Sequence, residues 1–231
     1  MMLATPTVRL VDDDNSLRSA LIFALEMAGL HAVGYESAEA FLQRDDPKIP
    51  GCVVMDIRME GISGLECQAR MRRAGFDQPV IFLSGHGDIE MALQAVKQGA
   101  ADFFTKPVPT EKLVDACRRL FDWNATARAR RRIRDEARER IATLTPRERE
   151  VAHEALTGAV NKTIAATLGI SEQAVKIHRS NIYAKLGVHS VVEIQRVFES
   201  AEISPLHESE ENASPEPSAV EARLLPPEGS I

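Results

Sequence analysis

Four short apolar runs in the first half of the chain each end in a polar side chain that can take part in chemistry. Runs of this length, rich in β-branched residues, are typical of strands buried in a parallel sheet. The side chains that follow the runs at residues 8–11, 52–55, 79–83 and 101–105 are, in order, Asp12 with Asp13, Asp56, Ser84 and Lys106. A doubly wound parallel sheet collects its ligands at the carboxyl ends of its strands, so we expect these side chains to converge on one site.

The converging set would hold three carboxylates, one hydroxyl and one ammonium group. Three acids in close contact raise one another's pKa values unless a cation lies among them. Mg²⁺ is a hard cation that prefers oxygen ligands, so it suits Asp12, Asp13 and Asp56. A lysine and a serine beside such a metal can contact phosphoryl oxygens, and a carboxylate can act as a nucleophile. The residues therefore predict phosphoryl transfer.

Helical patterns separate the apolar runs, which predicts an α/β fold with right-handed crossovers. Several of these patterns end at a glycine, the residue most common just after a helix. The predicted helices cover residues 16–28, 38–43, 64–74, 89–98 and 112–123. We expect a doubly wound parallel sheet with helices on both faces.

Four motifs in this half resemble those of response-regulator receiver domains over about residues 5–124. They are VDDDN, VMDIRMEGISG, IFLSGHGD and DFFTKP. The resemblance implies a flavodoxin-like fold with five strands, Asp56 as the phospho-acceptor and a sensor histidine kinase as the phosphoryl donor. The implied Mg²⁺ ligands are Asp12, Asp13, Asp56 and the backbone carbonyl of Arg58. The implied switch and phosphate-binding residues are Ser84 (the switch hydroxyl), Phe103 (the aromatic switch) and Lys106 (the phosphate-binding lysine).

Two features of this half depart from the family pattern or vary within it. Glu60 stands where the family usually has a proline, which predicts a less rigid and more negative loop after Asp56. Arg58 and His86 lie two residues past the acceptor and the switch hydroxyl, at positions that tune phosphate lifetime in this family.

Charge is distributed unevenly along the 231 residues. The net charge of −6 combines −5 for residues 1–124, +5 for residues 125–200 and −6 for residues 201–231. The positive middle segment predicts a polyanion as its partner.

Three cysteines, Cys52, Cys67 and Cys117, lie in apolar surroundings without the paired spacing of a zinc site. An odd number of buried cysteines is typical of a reduced, cytosolic protein. No apolar stretch reaches the length of about 18 residues that a membrane span needs, and the start lacks the pattern of a signal peptide. We expect a cytoplasmic protein without a membrane partner.

Residues 125–143 are dense in arginine and glutamate and predict a helical linker. Its thin apolar stripe leaves open whether the helix is solvated or pairs with another helix. The stripe consists of Ile133, Ala137, Ile141 and Leu144. From Ala201 onward the chain has five prolines, seven acids and no aromatic residue, which predicts a disordered tail over residues 201–231.

Residues 144–200 carry helix signals and no strand signals, which predicts an all-α domain. Thr145 and Glu148 have the spacing of a capping box that opens a helix to about Leu156. A short helix over Asn161–Leu168, a turn at Gly169 and a longer helix capped by Ser171 follow, and the longer helix runs to Leu186. A fourth helix is expected over residues 190–199.

The two helices joined through Gly169 have the spacing of a helix-turn-helix. Helical geometry divides the second of them into a packing face and an outward face. The packing face is Ala174, Val175, His178, Ile182 and Leu186, and the outward face is Gln173, Lys176, Ile177, Ser180 and Tyr183. An exposed isoleucine beside a lysine and small polar groups suits the major groove of DNA. His178 is interpreted as a hydrogen-bonded core histidine.

Residues 143–199 resemble the LuxR-type DNA-binding domain, so the whole chain resembles a regulator of the FixJ/NarL family. The resemblance implies dimerisation on phosphorylation, binding to promoter half-sites of double-stranded DNA, and RNA polymerase as a further partner. Ala174 replaces a common threonine and Ser180 a lysine of some relatives, so the target sequence does not carry over. The implied DNA contacts are Lys176, Ile177 and Ser180 to bases, Arg179 to the backbone, and Asn161 and Lys162 to a phosphate.

Two other functions fit parts of the pattern. A phosphatase of the haloacid dehalogenase class would use Asp12, Asp14 and Ser16, but it needs a further acidic strand end after Lys106 that the sequence lacks. A receiver that only passes phosphate to another protein would not need the basic helix-turn-helix segment. We therefore expect a regulator rather than an enzyme.

Overall fold

The computed structural model describes residues 5–85, 95 and 97–202. The described residues form two compact units, the first up to Ala127 and the second from Arg128. His86, most of the helix predicted over residues 89–98, and the tail after Glu202 lie outside the described residues.

A five-stranded parallel sheet forms the centre of the first unit, in the order β2-β1-β3-β4-β5. The strands are β1 (Thr7–Val11), β2 (His31–Tyr35), β3 (Gly51–Asp56), β4 (Val80–Ser84) and β5 (Asp102–Thr105). The order confirms the predicted doubly wound sheet. The apolar runs did not locate β2, because this strand lies at the sheet edge, exposes His31 and so lacks a continuous apolar run.

Among the described residues, four helices connect and follow these strands. They are α1 (Asn15–Met27), α2 (Ala38–Arg44), α3 (Gly64–Arg73) and α4 (Thr110–Ala142). Asp14 caps α1, because its Oδ1 accepts from the N–H groups of Ser16 and Leu17 at 2.9 and 3.1 Å. Ser37 and Ser63 cap α2 and α3 in the same way.

The strands bury side chains on both faces of the sheet. Cys52 and Val54 of β3 pack in one apolar cluster with residues of α1 and α4, whereas Val53 and Met55 pack in the other with residues of α2 and α3. Because successive side chains of a strand point to opposite faces, a strand buried on both sides is apolar at most of its positions. This packing on both faces positions the strand ends.

One long helix, α4, replaces the predicted break near residue 124. The helix predicted to end at Trp123 continues to Ala142 and is 33 residues long in total, because no glycine or proline interrupts it. Asn124 is buried in its middle: its Oδ1 accepts from Gly51 N at 3.1 Å, and its Nδ2 donates to the Asp77 carbonyl at 2.9 Å. These bonds join α4 to the start of β3 and to the loop before β4.

The second unit is all-α, as predicted. Its helices after α4 are α5 (Pro146–Leu156), α6 (Asn161–Leu168), α7 (Glu172–Leu186) and α8 (Val191–Ala201). Gly169 and Gly187 end α6 and α7 with φ of 65° and 66°, in the left-handed region that favours glycine. The apolar stripe at the end of α4 joins the core of this unit through Ala137, Ile141 and the following Leu144, while Ile133 stays 52% exposed.

Glu148 is a buried acid that links α5 to α7. Its side chain accepts from Thr145 N at 2.9 Å, which completes the predicted capping box, and from Lys185 Nζ at 2.6 Å. Burial alone would raise the pKa of Glu148, but the hydrogen bonds from Lys185 and Thr145 lower it below its usual value.

We expect Glu148→Gln to lower the free energy of unfolding of the second unit by about 1 to 3 kcal/mol at neutral pH, because a charged hydrogen bond is lost. The carboxylate's stabilisation is present above the unfolded-state pKa of about 4.3 and is lost as pH falls through the lower folded-state pKa. Urea titrations between neutral pH and pH of about 3 should show a smaller pH dependence in Glu148→Gln than in wild type. An unchanged pH dependence would contradict this assignment.

Candidate functional site

Three carboxylates meet at the carboxyl ends of β1 and β3. Asp12, Asp13 and Asp56 each offer one oxygen, and these oxygens all lie within 4.8 Å of one another. Asp12 and Asp56 are buried, whereas Asp13 is exposed, so the cluster is open to solvent on one side. The structure thus brings together the three acids that the strand ends predicted to converge.

Lys106, which follows β5, is the cation of this cluster in the structure. Its Nζ donates to Asp12 Oδ2 at 2.8 Å and to Asp56 Oδ2 at 2.6 Å. Burial raises the pKa of Asp12. Burial of Lys106 alone would lower the pKa of the lysine, but its hydrogen bonds to Asp12 and Asp56 outweigh this effect and raise that pKa. The lysine therefore holds its proton between the two carboxylates.

The loop of residues 57–63 covers the acid cluster with its backbone amides. Arg58 N donates to Asp56 Oδ1 and Glu60 N donates to Asp13 Oδ2, each at 3.1 Å. A proline at position 60 would lack this second donor. The departure at Glu60 thus adds a contact between the loop and an acid of the cluster. The lower rigidity expected for this loop stays a prediction. The Arg58 carbonyl as a metal ligand stays a prediction.

The donor set fits Mg²⁺. All three acids present oxygen, which is the ligand atom that this cation prefers, and one acid is exposed so that a hydrated ion can enter. One lysine ammonium offsets only part of the charge of three carboxylates. Asp12, Asp13 and Asp56 are therefore the residues that would hold the ion.

The two predicted switch residues lie on the neighbouring strands. Ser84, at the end of β4, is buried, and its Oγ donates to the Gly85 carbonyl at 3.0 Å. Phe103 of β5 is half-buried and packs against the apolar cluster that contains Phe82. Lys106 N donates a hydrogen bond to the Ser84 carbonyl at 2.7 Å, which joins the ends of β4 and β5.

A second candidate site is the outward face of α7. Gln173, Lys176, Ile177 and Ser180 are exposed as predicted, and Ile177 is 53% exposed although it is a large apolar residue. Val175, Ile182 and Leu186 are buried on the opposite side. Lys162, at the start of α6, is exposed.

Arg179 is fixed by two neighbours that the sequence did not connect. It donates to Asn161 Oδ1 at 2.8 Å and to the Tyr183 hydroxyl at 3.0 Å. Its Cζ lies 5.9 Å from the centroid of the Tyr183 ring. The one sequence feature that indicates the contact with Tyr183 is its spacing of four residues from Arg179 on the same helix. The contacts give both Arg179 and Asn161 a defined position beside the exposed face.

Two predictions about α7 are wrong. Tyr183 was assigned to the outward face, but it is half-buried and packs against the core of the second unit, since an aromatic ring can cover apolar neighbours while its hydroxyl stays polar. His178 was expected to be hydrogen-bonded, but its Nδ1 is buried and has no partner among the described residues.

Comparison with known families agrees with this geometry. Residues 8–118 match the response regulator receiver domain, and residues 142–198 match the bacterial regulatory proteins of the luxR family. The chain is a two-component response regulator of the FixJ/NarL family. Family membership makes this response regulator a transcription regulator, whose receiver implies a kinase and whose LuxR-type domain implies DNA.

Full-length relatives resemble the response regulator over most of their length. It is 39% identical to the transcriptional regulatory protein FixJ of Azorhizobium caulinodans over 86% of its own residues and 94% of the relative, and 39% identical to the response regulator protein TodT of Pseudomonas putida over 83% and 85%. Among solved structures, response regulator StyR matches with a TM-score of 0.77 and 39% identity, covering 85% of this chain and 99% of StyR. Full-length FixJ from B. japonicum matches with a TM-score of 0.53 and 32% identity, covering 86% and 98%.

No helix among the described residues of the response regulator has both the length and the apolar character for crossing a membrane.

The phosphatase alternative loses its support, because Asp14 is used as the α1 cap and does not join the acid cluster.

Proposed function

We propose that this response regulator is activated when a sensor histidine kinase phosphorylates Asp56, and that the phosphorylated protein dimerises and binds promoter half-sites through α7. The observation that carries the proposal is the contact of Lys106 with both Asp12 and Asp56 beside the exposed Asp13. Phosphoryl transfer needs this combination of an acceptor carboxylate, further oxygen ligands and a cation.

The transfer step follows from the acceptor's chemistry. One carboxylate oxygen of Asp56 attacks the phosphorus of the kinase's phosphohistidine, so that an O–P bond forms while the N–P bond breaks. The imidazole nitrogen leaves with the bonding electrons and takes up a proton. Asp12, Asp13 and Asp56 would hold Mg²⁺, which when bound would supply positive charge for the phosphoryl oxygens. Lys106, 2.6 Å from Asp56 Oδ2, neutralises a further part of the negative charge that arrives.

Activation then depends on groups that change partners. Ser84 Oγ, which donates to the Gly85 carbonyl in the structure, turns to donate to the phosphoryl group, and Phe103 moves into the space that Ser84 vacates. These movements would change the surface beside Phe103, and that surface is the expected dimer face. A symmetric dimer would present two α7 helices to two half-sites about one helical turn apart.

DNA recognition is assigned to the exposed face of α7. Lys176, Ile177 and Ser180 would meet base edges and thymine methyl groups in the major groove. Arg179, held by Asn161, and the exposed Lys162 would contact the backbone. RNA polymerase is the expected further partner of the DNA-bound dimer.

The chemical part of the proposal is tested by mapping the phosphorylated residue. The full chain is incubated with a small-molecule phosphodonor with or without Mg²⁺, reduced with borohydride, and digested for mass spectrometry. We expect one modified residue, Asp56, and only in the presence of Mg²⁺. Asp122→Asn serves as the control, since Asp122 is an exposed acid on α4. Modification at another residue, or none in Mg²⁺, would refute the proposal.

Lys176→Ala tests the assignment of the α7 face. If the lysine reads a guanine edge, the variant should lose about 1 to 3 kcal/mol of specific binding and relax preference at one base position. If Lys176 contacts only a phosphate, all sequences should weaken alike and the slope of log affinity against log salt should fall by about one. Fluorescence anisotropy at several salt concentrations separates these results, and unaltered binding at every concentration would contradict the assignment.

A further inference from the structure

The loop of residues 57–63 donates backbone hydrogen bonds to three carboxylates at every second residue. Arg58 N donates to Asp56, Glu60 N to Asp13, and Ile62 N to Glu39 Oε1 at 3.0 Å. Two of these acceptors belong to the acid cluster. Glu39 lies in the first turn of α2 and is not one of the three clustered acids.

The loop approaches Glu39 closely. Gly61 has a φ of 76°, and a Cβ built on it would lie 2.6 Å from Glu39 Oε1. Any other residue at position 61 would therefore displace the carboxylate as well as adopt a strained backbone. Glycine at position 61 and glutamate at position 39 form one contact that sets where Ile62 N lies.

The end of the loop also packs closely against the end of β3, the strand that carries Asp56. Gly64 N donates to the Ile57 carbonyl at 2.9 Å, and a Cβ on Gly64 would lie 2.3 Å from the Asp56 carbonyl oxygen. A shift of the loop at Ile62 is therefore passed directly to the residues that flank the acceptor. Met59 and Ile62 also pack against the apolar cluster, so the loop keeps its general position without Glu39.

When a cation or a phosphoryl group enters, Asp13 and Asp56 share their oxygens with it, so their hydrogen bonds from the loop change. The hydrogen bond from Ile62 N to Glu39 does not change, because Glu39 lies outside the acid cluster. We propose that Glu39 is a positioning residue, which keeps the loop after Asp56 in register so that Asp13, Asp56 and the adjoining backbone receive Mg²⁺. This inference rests on the proposed function of the acid cluster.

The test compares Glu39→Ala with Glu39→Gln, because glutamine loses the charge but keeps an oxygen that can accept from Ile62 N. Glu66→Ala is the matched control: Glu66 is an exposed glutamate in the first turn of α3 whose side chain pairs with Arg70. Amide hydrogen exchange of residues 57–63 is measured in Mg²⁺-free buffer. Mg²⁺ affinity is measured on the same full-length proteins by titration of amide chemical shifts.

We expect Glu39→Ala to speed exchange at Ile62 and Glu60 and to weaken Mg²⁺ binding by about tenfold, as removal of outer supports of metal ligands does. Glu39→Gln should stay within about twofold of wild type, and Glu66→Ala should match wild type. Saturating Mg²⁺ should restore the phosphorylation rate of Glu39→Ala, which a general loss of folding would not allow.

Three results would overturn the proposal: equal effects of Glu39→Ala and Glu39→Gln, unchanged loop exchange in Glu39→Ala, or unchanged Mg²⁺ affinity in Glu39→Ala beside a wild type that binds the ion. If wild type itself binds no Mg²⁺, the proposed function fails. The role of Glu39 as the loop anchor is then still decided by hydrogen exchange in Mg²⁺-free buffer.

Discussion

Replacing Asp56 with asparagine is expected to make DNA binding insensitive to the phosphodonor. The amide has no nucleophilic carboxylate oxygen, so incorporation of phosphate should fall to background. The variant should still fold, because asparagine is nearly isosteric and its one carbonyl oxygen can accept from either Arg58 N or Lys106, which bond to different oxygens of Asp56.

The measurement is an anisotropy titration of a duplex selected from a random library by the phosphorylated wild type. Wild type and Asp122→Asn should bind more tightly after treatment with the phosphodonor in Mg²⁺, whereas Asp56→Asn should show the same affinity before and after. A phosphodonor-dependent gain in Asp56→Asn would place the regulatory modification at another residue.

Replacing Arg9 with methionine is expected to destabilise the first unit by about 3 to 5 kcal/mol, because it removes the partner of a buried acid. Arg9 of β1 is fully buried and donates from its Nε to Asp45 Oδ2 at 2.8 Å. Its other guanidinium nitrogens donate to the carbonyl oxygens of Thr7, Asp46, Ile49 and Pro50. The variant would leave all of these acceptors without the donor.

Urea unfolding of the full chain, followed by circular dichroism, measures this loss. Arg44→Met is the matched control, since Arg44 pairs with Glu36 on the surface and an exposed ion pair contributes at most about 1 kcal/mol. Arg9→Lys should retain part of the stability, because it keeps the charge but not the planar set of donors. A loss below about 1 kcal/mol for Arg9→Met would show that the carbonyl groups find other donors.

The acid cluster could be predicted from the sequence because each of its members follows a strand whose apolar run marks it. Asp12, Asp56 and Lys106 needed only the rule that parallel strands end at the same edge. The helix-turn-helix was equally visible, since Ser171, Gly169 and Gly187 mark the ends of its helices.

Contacts between distant segments could not be predicted where no strand end marks the residues involved. Arg9 is a charged residue in an apolar strand, and its burial is explained only by Asp45 and the carbonyl groups of residues 46–50, which the fold brings to it. The contact of Glu39 with Ile62 joins residues 23 positions apart and has no local pattern. Tyr183 was misplaced because helical periodicity gives the direction of a side chain but not its reach.

We expect phosphate on Asp56 to control DNA binding by bringing two α7 helices to one duplex. The most direct measurement compares the affinity of the protein, with and without phosphodonor, for duplexes that carry one selected half-site or two half-sites about one helical turn apart. Phosphorylation should tighten binding to the paired half-sites much more than to the single one. Equal gains on both duplexes, or no gain on either, would contradict the claim.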